Sequence, residues 1–523
     1  YLVVVTKKRL CSAVVRVHAV SSCTRGSTDR PKPVTTQERH MGSRLQSAAT
    51  SAATTVAGAL DRAGVIERDR LTETLDLAWP RIVTGFAIMS KNTVDLAVIG
   101  IVLGAPAVAG IAFAFAYWQL AKFVSIGLAG GTVSLVSQNY GGDERDRAAL
   151  VVKQSLVVAV ALVLPIVVGY VTFAEPLISL VGGQGDALGY GVTYLVVTAP
   201  ALAFEFFNMI ASRTYAGVGD TFTPMVFRAG GALLNVGLTV GLVLGAGLGV
   251  TGAALGTAVS IAAVAVGLSW GLSGRSYLGR GASPVPVGRD GAWIDTELIE
   301  QLVRVSAPLV ARRVAEGIAV FPLLWVASSF GQATVAALEV GRRVRALLGS
   351  FSWGFSIAAS TLVGQRLGAG DENGATAYGR DIIRLSALVY VLASAAVVAA
   401  ATPIAQVFVD DPTAIAATAA FVIIAAVSAV PLGVNGSITG SLRGAGDTRW
   451  PFFAAMLGLY VFALPAAFLG TVTALGVGGL YIAVLVEKFV PMGVNLIRFR
   501  SDRWQAVSRQ YRPGRTESDG AGG

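Results

Sequence analysis

The sequence predicts an all-α polytopic membrane protein with twelve transmembrane helices in two six-helix bundles, related by a pseudo-two-fold axis along the membrane normal. Composition is the first reason, because 54% of the 523 residues are hydrophobic and only 14% are charged, whereas soluble domains carry about 25% charge. The apolar residues also occur in runs of twenty or more, long enough to cross a bilayer. Finally, the two halves of the chain share motifs at a nearly constant spacing.

Twelve apolar segments follow one another from Ala78 onward, and each is long enough for a membrane helix. Their approximate bounds are 78–103, 108–138, 148–172, 187–212, 222–245, 248–272, 302–328, 334–365, 379–402, 413–441, 451–472 and 476–497. Before them, Val56–Thr74 mixes apolar and charged residues at helical spacing, which predicts an amphipathic lead-in helix.

Five regions follow from this pattern. Residues 1–77 form an N-terminal tail that we expect to be mostly disordered, and 78–272 form the first lobe. A polar, glycine-rich linker occupies 273–300, the second lobe occupies 301–500, and a basic tail occupies 501–523. Met41 is the first methionine, so the residues before it can be an over-extended reading frame.

The connections between the segments alternate in charge. Basic residues collect in one set, which comprises Asp143–Arg147, Arg213–Arg228, Arg275–Arg289, Arg366–Arg384, Arg443–Arg449 and Arg498–Arg515. The charged residues of the other set are acids, namely Glu175, Asp186, Asp410 and Asp411. Lys and Arg accumulate on the cytoplasmic side of membrane proteins. We therefore expect a multi-pass protein of the cell membrane with the linker and both termini in the cytoplasm.

The composition also argues against several functions. Both cysteines (Cys11, Cys23) and both histidines (His18, His40) lie in the N-terminal tail, so the membrane region has no His or Cys metal cluster, Cys nucleophile or His base. HExxH and GxSxG motifs are absent as well. We expect a monomeric non-enzyme without metal or cofactor, whose partners are membrane lipid and a small organic substrate. Residues 1–40 contain eight bases and two acids, which explains much of the net charge of +10 without a nucleic-acid partner.

The two halves repeat one another. GVGDTFTP (Gly217–Pro224) returns as GAGDTRWP (Gly444–Pro451), shifted by 227 residues, and VSQNYGGD (Val136–Asp143) returns as VGQRLGAGD (Val363–Asp371). The glycines permit a tight turn and the Asp and Thr can cap the next helix, so these motifs are interpreted as structural. Parallel repeats of this kind predict alternating access by rocking of two bundles.

These motifs resemble those of the multidrug and toxic compound extrusion (MATE) transporters. The resemblance rests on SQNYGGDERDRA, RTYAGVGDTFTP, TLVGQRLGAGDENGA and SLRGAGDTRWP, covers about residues 75–500, and is closest to the archaeal DinF-like branch. It implies export of organic compounds driven by inward flow of sodium or protons. The alternative is a flippase for a lipid-linked precursor, as in other members of the wider superfamily, although such proteins often have more than twelve spans.

The resemblance also suggests site residues in the first lobe. Pro80 matches the kink proline and Asp95 the functional aspartate of the first helix, and Asn235 is retained in the fifth helix. Thr239 stands where the branch has a second acid. An acid in a spanning helix by default marks a pathway or coupling site. Lys91 precedes Asp95 by four residues, so the alternative for both is a structural ion pair.

Further charged residues are candidates. Glu205 is expected to line the first-lobe cavity or to make a polar contact between helices, at a depth corresponding to that of Asn435. Glu316 follows Pro308 by eight residues, as in the NorM-like branch. A possible second-lobe charge network comprises Arg312, Arg313, Glu339 and Arg343. Because the predicted spans contain more bases than acids, we hypothesise an anionic, zwitterionic or neutral substrate.

Overall fold

The computed structural model describes residues 57–276, 282–288, 293–409 and 411–511. The predictions for the N-terminal cysteines, histidines and basic residues, and for Asp410, lie outside these ranges. Residues 57–62 are helical, and residues from Asp69 onward form a separate compact unit. The predicted lead-in helix is wrong in its second half, because the first membrane helix already begins at Arg68 and runs unbroken to Leu103.

The described part of the unit is nearly all helical, which confirms the predicted fold class. The first six membrane segments are Arg68–Leu103, Ala105–Gly141, Arg145–Thr172, Gly185–Thr198 with Ala201–Gly217, Phe222–Val240 with the π-helix Gly241–Gly245, and Gly249–Leu272. The other six are Thr296–Ile318 with Val320–Ser329, Gln332–Gly368, Glu372–Ala399, Pro412–Gly444, Arg449–Val472 with an internal π-helix, and Gly478–Arg500. Short helices cover Ala174–Leu180, Ala401–Phe408 and Arg503–Ser508.

Ten of these helices are long and apolar enough to span a membrane, or eleven if the bent fourth segment counts as one span. The fourth segment bends by 53° between its two helices, where Pro200 lies. The predicted seventh segment is two helices that meet at Ala319, and its first helix contains Arg304, Arg312, Arg313 and Glu316. These charges explain why it does not count among the ten.

Pro80 lies inside the first helix, twelve residues after its start, where it removes one backbone hydrogen bond donor. Thr84 Oγ1 donates to the Pro80 carbonyl oxygen at 2.8 Å. The predicted start of this segment at residue 78 is therefore wrong, because polar residues from Arg68 onward extend the helix at its N-terminal side.

The repeated motifs join the two lobes at one end of the bundle, which we call the motif end and define by residues 217–224 and 444–451. Gln138 Nε2 donates to the carbonyl oxygen of Gly444 at 2.9 Å. At the corresponding place of the other lobe, Gln365 Nε2 donates to the carbonyl oxygen of Gly217, also at 2.9 Å. The shared motifs thus form a pseudo-symmetric pair of contacts between lobes.

Glycines allow this close approach. A Cβ added at Gly141 would lie 2.0 Å from the carbonyl oxygen of Gln365, and one at Gly368 would lie 1.9 Å from that of Gln138. Any side chain larger than hydrogen at either position would force the lobes apart. The repeated glycine of each motif is therefore required by the packing of the two lobes.

Candidate functional site

The Asp95 carboxylate lies where the first, fifth and sixth helices meet. Thr239 Oγ1 donates to Asp95 Oδ1 at 2.9 Å, and Lys91 Nζ lies 3.6 Å from Asp95 Oδ2. In the amide orientation that satisfies its neighbours, Asn235 donates to both carboxylate oxygens at 2.9 Å and accepts from Thr257 Oγ1 at 3.1 Å. Three of the other sequence-predicted site residues, Lys91, Asn235 and Thr239, thus surround Asp95.

Helical periodicity explains this arrangement. Lys91 and Asp95 are one turn apart on the first helix, and Asn235 and Thr239 are one turn apart on the fifth. Asn235 and Thr239 are fully buried, while the Lys91 and Asp95 side chains are 15% and 16% exposed. The fifth helix therefore supplies a fixed polar wall, and the first helix presents the ion pair at a partly open edge.

Glu205 forms a second buried acidic centre in the first lobe. Arg228 Nη2 donates to Glu205 Oε1 at 3.0 Å, and Lys122 Nζ lies 3.5 Å from the same oxygen. Glu205 and Lys91 line one cavity of about 90 Å³. The cavity position predicted for Glu205 fits this geometry, and the carboxylate is also held by bases from two other helices.

The structure corrects two details of the charge assignment. Arg213 and Arg228, which the sequence pattern placed in a basic connection, lie inside the helices Ala201–Gly217 and Phe222–Val240. Arg213 is only 7% exposed. The fourth segment ends at Gly217, five residues beyond its predicted end, and Arg228 lies six residues inside a helix that begins at Phe222, so both arginines belong to helices and not to the connection.

The depth correspondence of Glu205 and Asn435 also needs correction. At the 227-residue spacing of the repeated motifs, Asn435 corresponds to Asn208, about one helical turn from Glu205. Asn208 Nδ2 donates to the Ile261 carbonyl oxygen at 3.0 Å, and Asn435 Oδ1 accepts from Asn495 Nδ2 at 2.9 Å. Each asparagine therefore joins the fourth and the sixth membrane segment of its own lobe.

The predicted second-lobe charge network divides into two separate groups. Arg312 Nε and Arg313 Nη1 donate to the two carboxylate oxygens of Glu316 at 2.8 and 3.0 Å. These residues line a cavity of about 130 Å³. Glu339, in contrast, is 46% exposed and lies 3.6 Å from Arg343 Nε. Glu316 therefore belongs to the interior, whereas Glu339 and Arg343 do not share its cavity.

Three charged residues of the interior were not predicted from the sequence. Glu487 accepts from Arg345 Nη1 at 3.1 Å, and Lys488 Nζ lies 2.6 Å from the same carboxylate. Arg81 packs its guanidinium 5.1 Å from the ring centre of Trp353. All three lie in predicted apolar segments, where a single charge or adjacent Glu-Lys pair was the available signal.

A large cavity of about 570 Å³ lies between the lobes. Its lining includes Arg81, Lys122, Arg342, Arg345 and Lys488, and there is no acid among the described residues that line it. Trp353 lies in its wall, contacted by Arg81 of the first lobe and by Arg313 of the second, whose guanidinium is 5.5 Å from the ring centre. The described residues also contain no group of His, Cys, Asp and Glu suited to a metal ion.

Comparison with known proteins agrees with this architecture. The MatE family model matches the chain twice, over residues 80–241 and 308–469, one match in each lobe. A probable multidrug resistance protein NorM of Bradyrhizobium diazoefficiens is 26% identical over 83% of this chain and 93% of its own length. The multidrug resistance protein PmpM of Pseudomonas aeruginosa is 24% identical over 77% of this chain and 85% of its own.

Solved structures are similar in fold. A crystal structure of MATE in the bent conformation superposes with a TM-score of 0.77 at 21% identity, covering 85% of this chain and 97% of the other. The double family match covers more than half of the chain, and its spacing is that of the internal repeat. The chain belongs to the MATE family.

Proposed function

We propose that the protein is a secondary active exporter of organic compounds, which works by alternating access of its two lobes as a cation-coupled antiporter of the cell membrane. The observation that carries this proposal is the Asp95 carboxylate at the partly open edge of the first lobe, contacted by Thr239, Asn235 and Lys91. A coupling acid must alternate between a charged, internally bonded form and a cation-bound form. The Lys91 contact of 3.6 Å is loose enough to be exchanged.

The neighbours of Asp95 favour a proton over sodium as the coupling ion. With the Asn235 amide in the orientation that satisfies its neighbours, the groups aimed at the carboxylate are an ammonium, a hydroxyl and an amide N–H₂, all hydrogen-bond donors. Hard cations such as sodium need several oxygen ligands, and in this orientation Thr239 Oγ1 is the one other side-chain oxygen that the described residues place at hydrogen-bonding distance from the carboxylate. A proton needs only one carboxylate oxygen and would release Lys91.

The first-lobe position of this acid also favours coupling as in the DinF-like branch. Glu316, which matched the NorM-like pattern, is held by two arginines at 2.8 and 3.0 Å. Breaking such a pair would leave uncompensated charge in the interior. We therefore assign Glu316 to holding Arg312 and Arg313 at the cavity.

The central cavity supports an organic substrate that is anionic, zwitterionic or neutral. Its volume of about 570 Å³ is in the range of sites for drug-sized molecules. The basic lining is unsuited to a monovalent organic cation, and Trp353 offers an aromatic face. We also place the motif end in the cytoplasm, because basic residues such as Arg145 and Arg366 lie near this end. The lobe contacts there would close the inner side.

The flippase alternative is not favoured. Flippases of this type often have more than twelve membrane segments, whereas the described residues contain ten apolar spans, or eleven with the bent pair. The two relatives that this chain matches over most of their own length are named as multidrug resistance proteins.

Flux in proteoliposomes tests the proposed function. Wild type and Lys91→Ala are compared under an imposed pH gradient and an imposed sodium gradient, with fluorescein as the organic anion and ethidium as the organic cation. We expect the pH gradient to drive fluorescein flux in wild type, and Lys91→Ala to uncouple flux from the gradient while the protein remains folded. Flux of ethidium alone, without competition by fluorescein, would overturn the assigned substrate charge; a response to sodium alone would overturn proton coupling.

A further inference from the structure

A small cavity near the motif end is lined by three arginines, of which one, Arg228, contacts a carboxylate. It has a volume of about 30 Å³ and is lined by Arg81, Ser212, Arg213 and Arg228 of the first lobe and Ile357 of the second, among others. This volume exceeds the roughly 10–15 Å³ that one water needs. It therefore has room for a small ion, but not for an organic molecule.

Arg213 is the central residue of this cavity. Only 7% of its surface is exposed. Among the described residues, Arg213 forms no hydrogen bond or ion pair, and the charges that act on it most strongly are those of Arg81, Arg228, Arg313 and Arg443. A buried cation surrounded by other cations is strongly destabilising unless a negative charge accompanies it.

Two further donors are unpartnered at the same place. Arg228 Nη1 is buried without a hydrogen-bond acceptor among the described residues, although its Nη2 is bound to Glu205. The Ser212 hydroxyl is buried and likewise without a partner there. A guanidinium, a second guanidinium N–H and a hydroxyl thus line one small space, and each can donate to a negatively charged acceptor.

The other bases around Arg213 contact either uncharged groups or an acid that is already shared. Arg443 donates to Ser356 O at 2.9 Å and to the hydroxyls of Ser356 and Ser360, all uncharged groups. Arg81 stacks on Trp353, which is also uncharged. Glu205 contacts Arg228, but this acid is shared with Lys122. None of these contacts compensates the charge of Arg213.

We propose that this cavity is a binding site for a small anion, which is held by Arg213, Arg228 Nη1 and Ser212 and which compensates the arginine cluster between the lobes. The occupant is either a free inorganic ion such as chloride or the anionic group of a molecule in the neighbouring cavity. Since Arg313 and Arg443 belong to the second lobe, a bound anion attracts both lobes toward the motif end and favours the state in which that end is closed.

The test is thermal unfolding of the purified full-length protein in sodium chloride and in sodium gluconate of equal ionic strength. For wild type, we expect a melting temperature that rises by about 1 °C for each tenfold increase of chloride above its dissociation constant. Arg213→Gln should lose this dependence, and in gluconate it should melt above wild type because an uncompensated cation has been removed.

Two further variants keep the result interpretable. Ser212→Ala, which removes one donor and no charge, should raise the chloride dissociation constant several-fold while preserving the fold. Arg498→Gln is the matched control, since Arg498 is a partly buried arginine that has an acid, Asp447, at 2.7 Å; it should keep the full chloride dependence. Equal wild-type melting temperatures in both salts, or a chloride dependence that survives in Arg213→Gln, would overturn the proposal.

Fluorescein distinguishes the two sources of the anion. If the site receives the anionic group of a larger molecule, saturating fluorescein will abolish the chloride dependence of wild type. If the site holds a resident inorganic ion, the stabilising effects of fluorescein and chloride will add. Because the readout is binding, this result is independent of whether the protein transports fluorescein.

Discussion

The two lobes share a framework but not their charges. Gln138 and Gln365 make the same contact with the opposite lobe at 2.9 Å. Likewise, Thr221 Oγ1 donates to the Leu77 carbonyl oxygen and Thr448 Oγ1 to that of Val305, at 3.0 and 2.7 Å. Residues repeated between the halves therefore build helix contacts and the interface between the lobes.

The Asp95 cluster has no such counterpart. At the repeat spacing of 228 residues in the first helix, Lys91 and Asp95 correspond to Ala319 and Leu323; at 227 residues, Thr239 corresponds to Ala466. Ala319 belongs to an apolar core cluster of the second lobe, and Leu323 and Ala466 pack against it. The comparison indicates that repeated residues maintain the architecture. We propose that the coupling chemistry lies in residues that one lobe has and the other lacks.

The largest effect that would test the shared framework comes from the interface glycines. Gly141→Ala and Gly368→Ala each place a Cβ about 2 Å from a carbonyl oxygen of the opposite lobe. Overpacking of this kind costs about 1–3 kcal/mol, so each should shift the lobes strongly toward opening at the motif end. Spin-label distances across this end in lipid nanodiscs would measure the shift. Gly230→Ala, where a Cβ meets nothing within 4 Å, is the control. A large shift for one interface glycine and none for the other would contradict the symmetry.

An effect of similar size is expected from Thr239→Val, which alters the Asp95 cluster that the second lobe lacks. The hydroxyl at 2.9 Å from Asp95 is lost without a change in size. A hydrogen bond to a charged group contributes about 1.5–3 kcal/mol, so gradient-driven flux should fall at least about tenfold. Thr132→Val removes a buried hydroxyl that bonds Ser155 at 2.9 Å elsewhere in the first lobe, and should retain coupling. Equal fluxes in the two variants would separate Thr239 from the coupling site.

The smallest predicted effect concerns the glutamines at the interface. Gln138→Ala and Gln365→Ala each remove one hydrogen bond between the lobes, worth about 1 kcal/mol or fivefold in the equilibrium between closed and open motif ends. The same distance measurement should give equal shifts for the two single variants, and roughly the product of their factors for the double variant. Unequal single shifts would show that the lobes do not share this contact equally.

Much of the fold could be predicted from the sequence, because the length of each apolar segment and the 227-residue repeat can be recognised directly in the amino-acid sequence. Within the site, the Lys91–Asp95 and Arg312–Glu316 pairs follow from four-residue spacing on one helix. The two residues on the fifth helix were suggested by family resemblance. Their contact with Asp95 spans 144 residues of sequence and could be seen only in the structure.

The interior charges were harder to predict. Glu487 pairs with Arg345 across 142 residues, and Glu205 is shared by bases from two other helices. Arg213 follows the predicted end of the fourth apolar segment and Arg228 lies near the start of the fifth, where charges usually belong to loops. No local pattern distinguishes an arginine that faces water from one that faces a buried cavity, since helix extension and packing decide the difference.

We propose that Asp95, an acid of the first lobe with no counterpart in the second, carries the coupling proton. The most direct test is the number of protons that the purified protein releases when fluorescein binds, measured in weakly buffered solution for wild type, Asp95→Asn and Glu316→Gln. We predict about one proton for wild type, none for Asp95→Asn and an unchanged value for Glu316→Gln, provided that each variant binds fluorescein. Release that persists in Asp95→Asn and disappears in Glu316→Gln would contradict this account and assign the coupling to the second lobe.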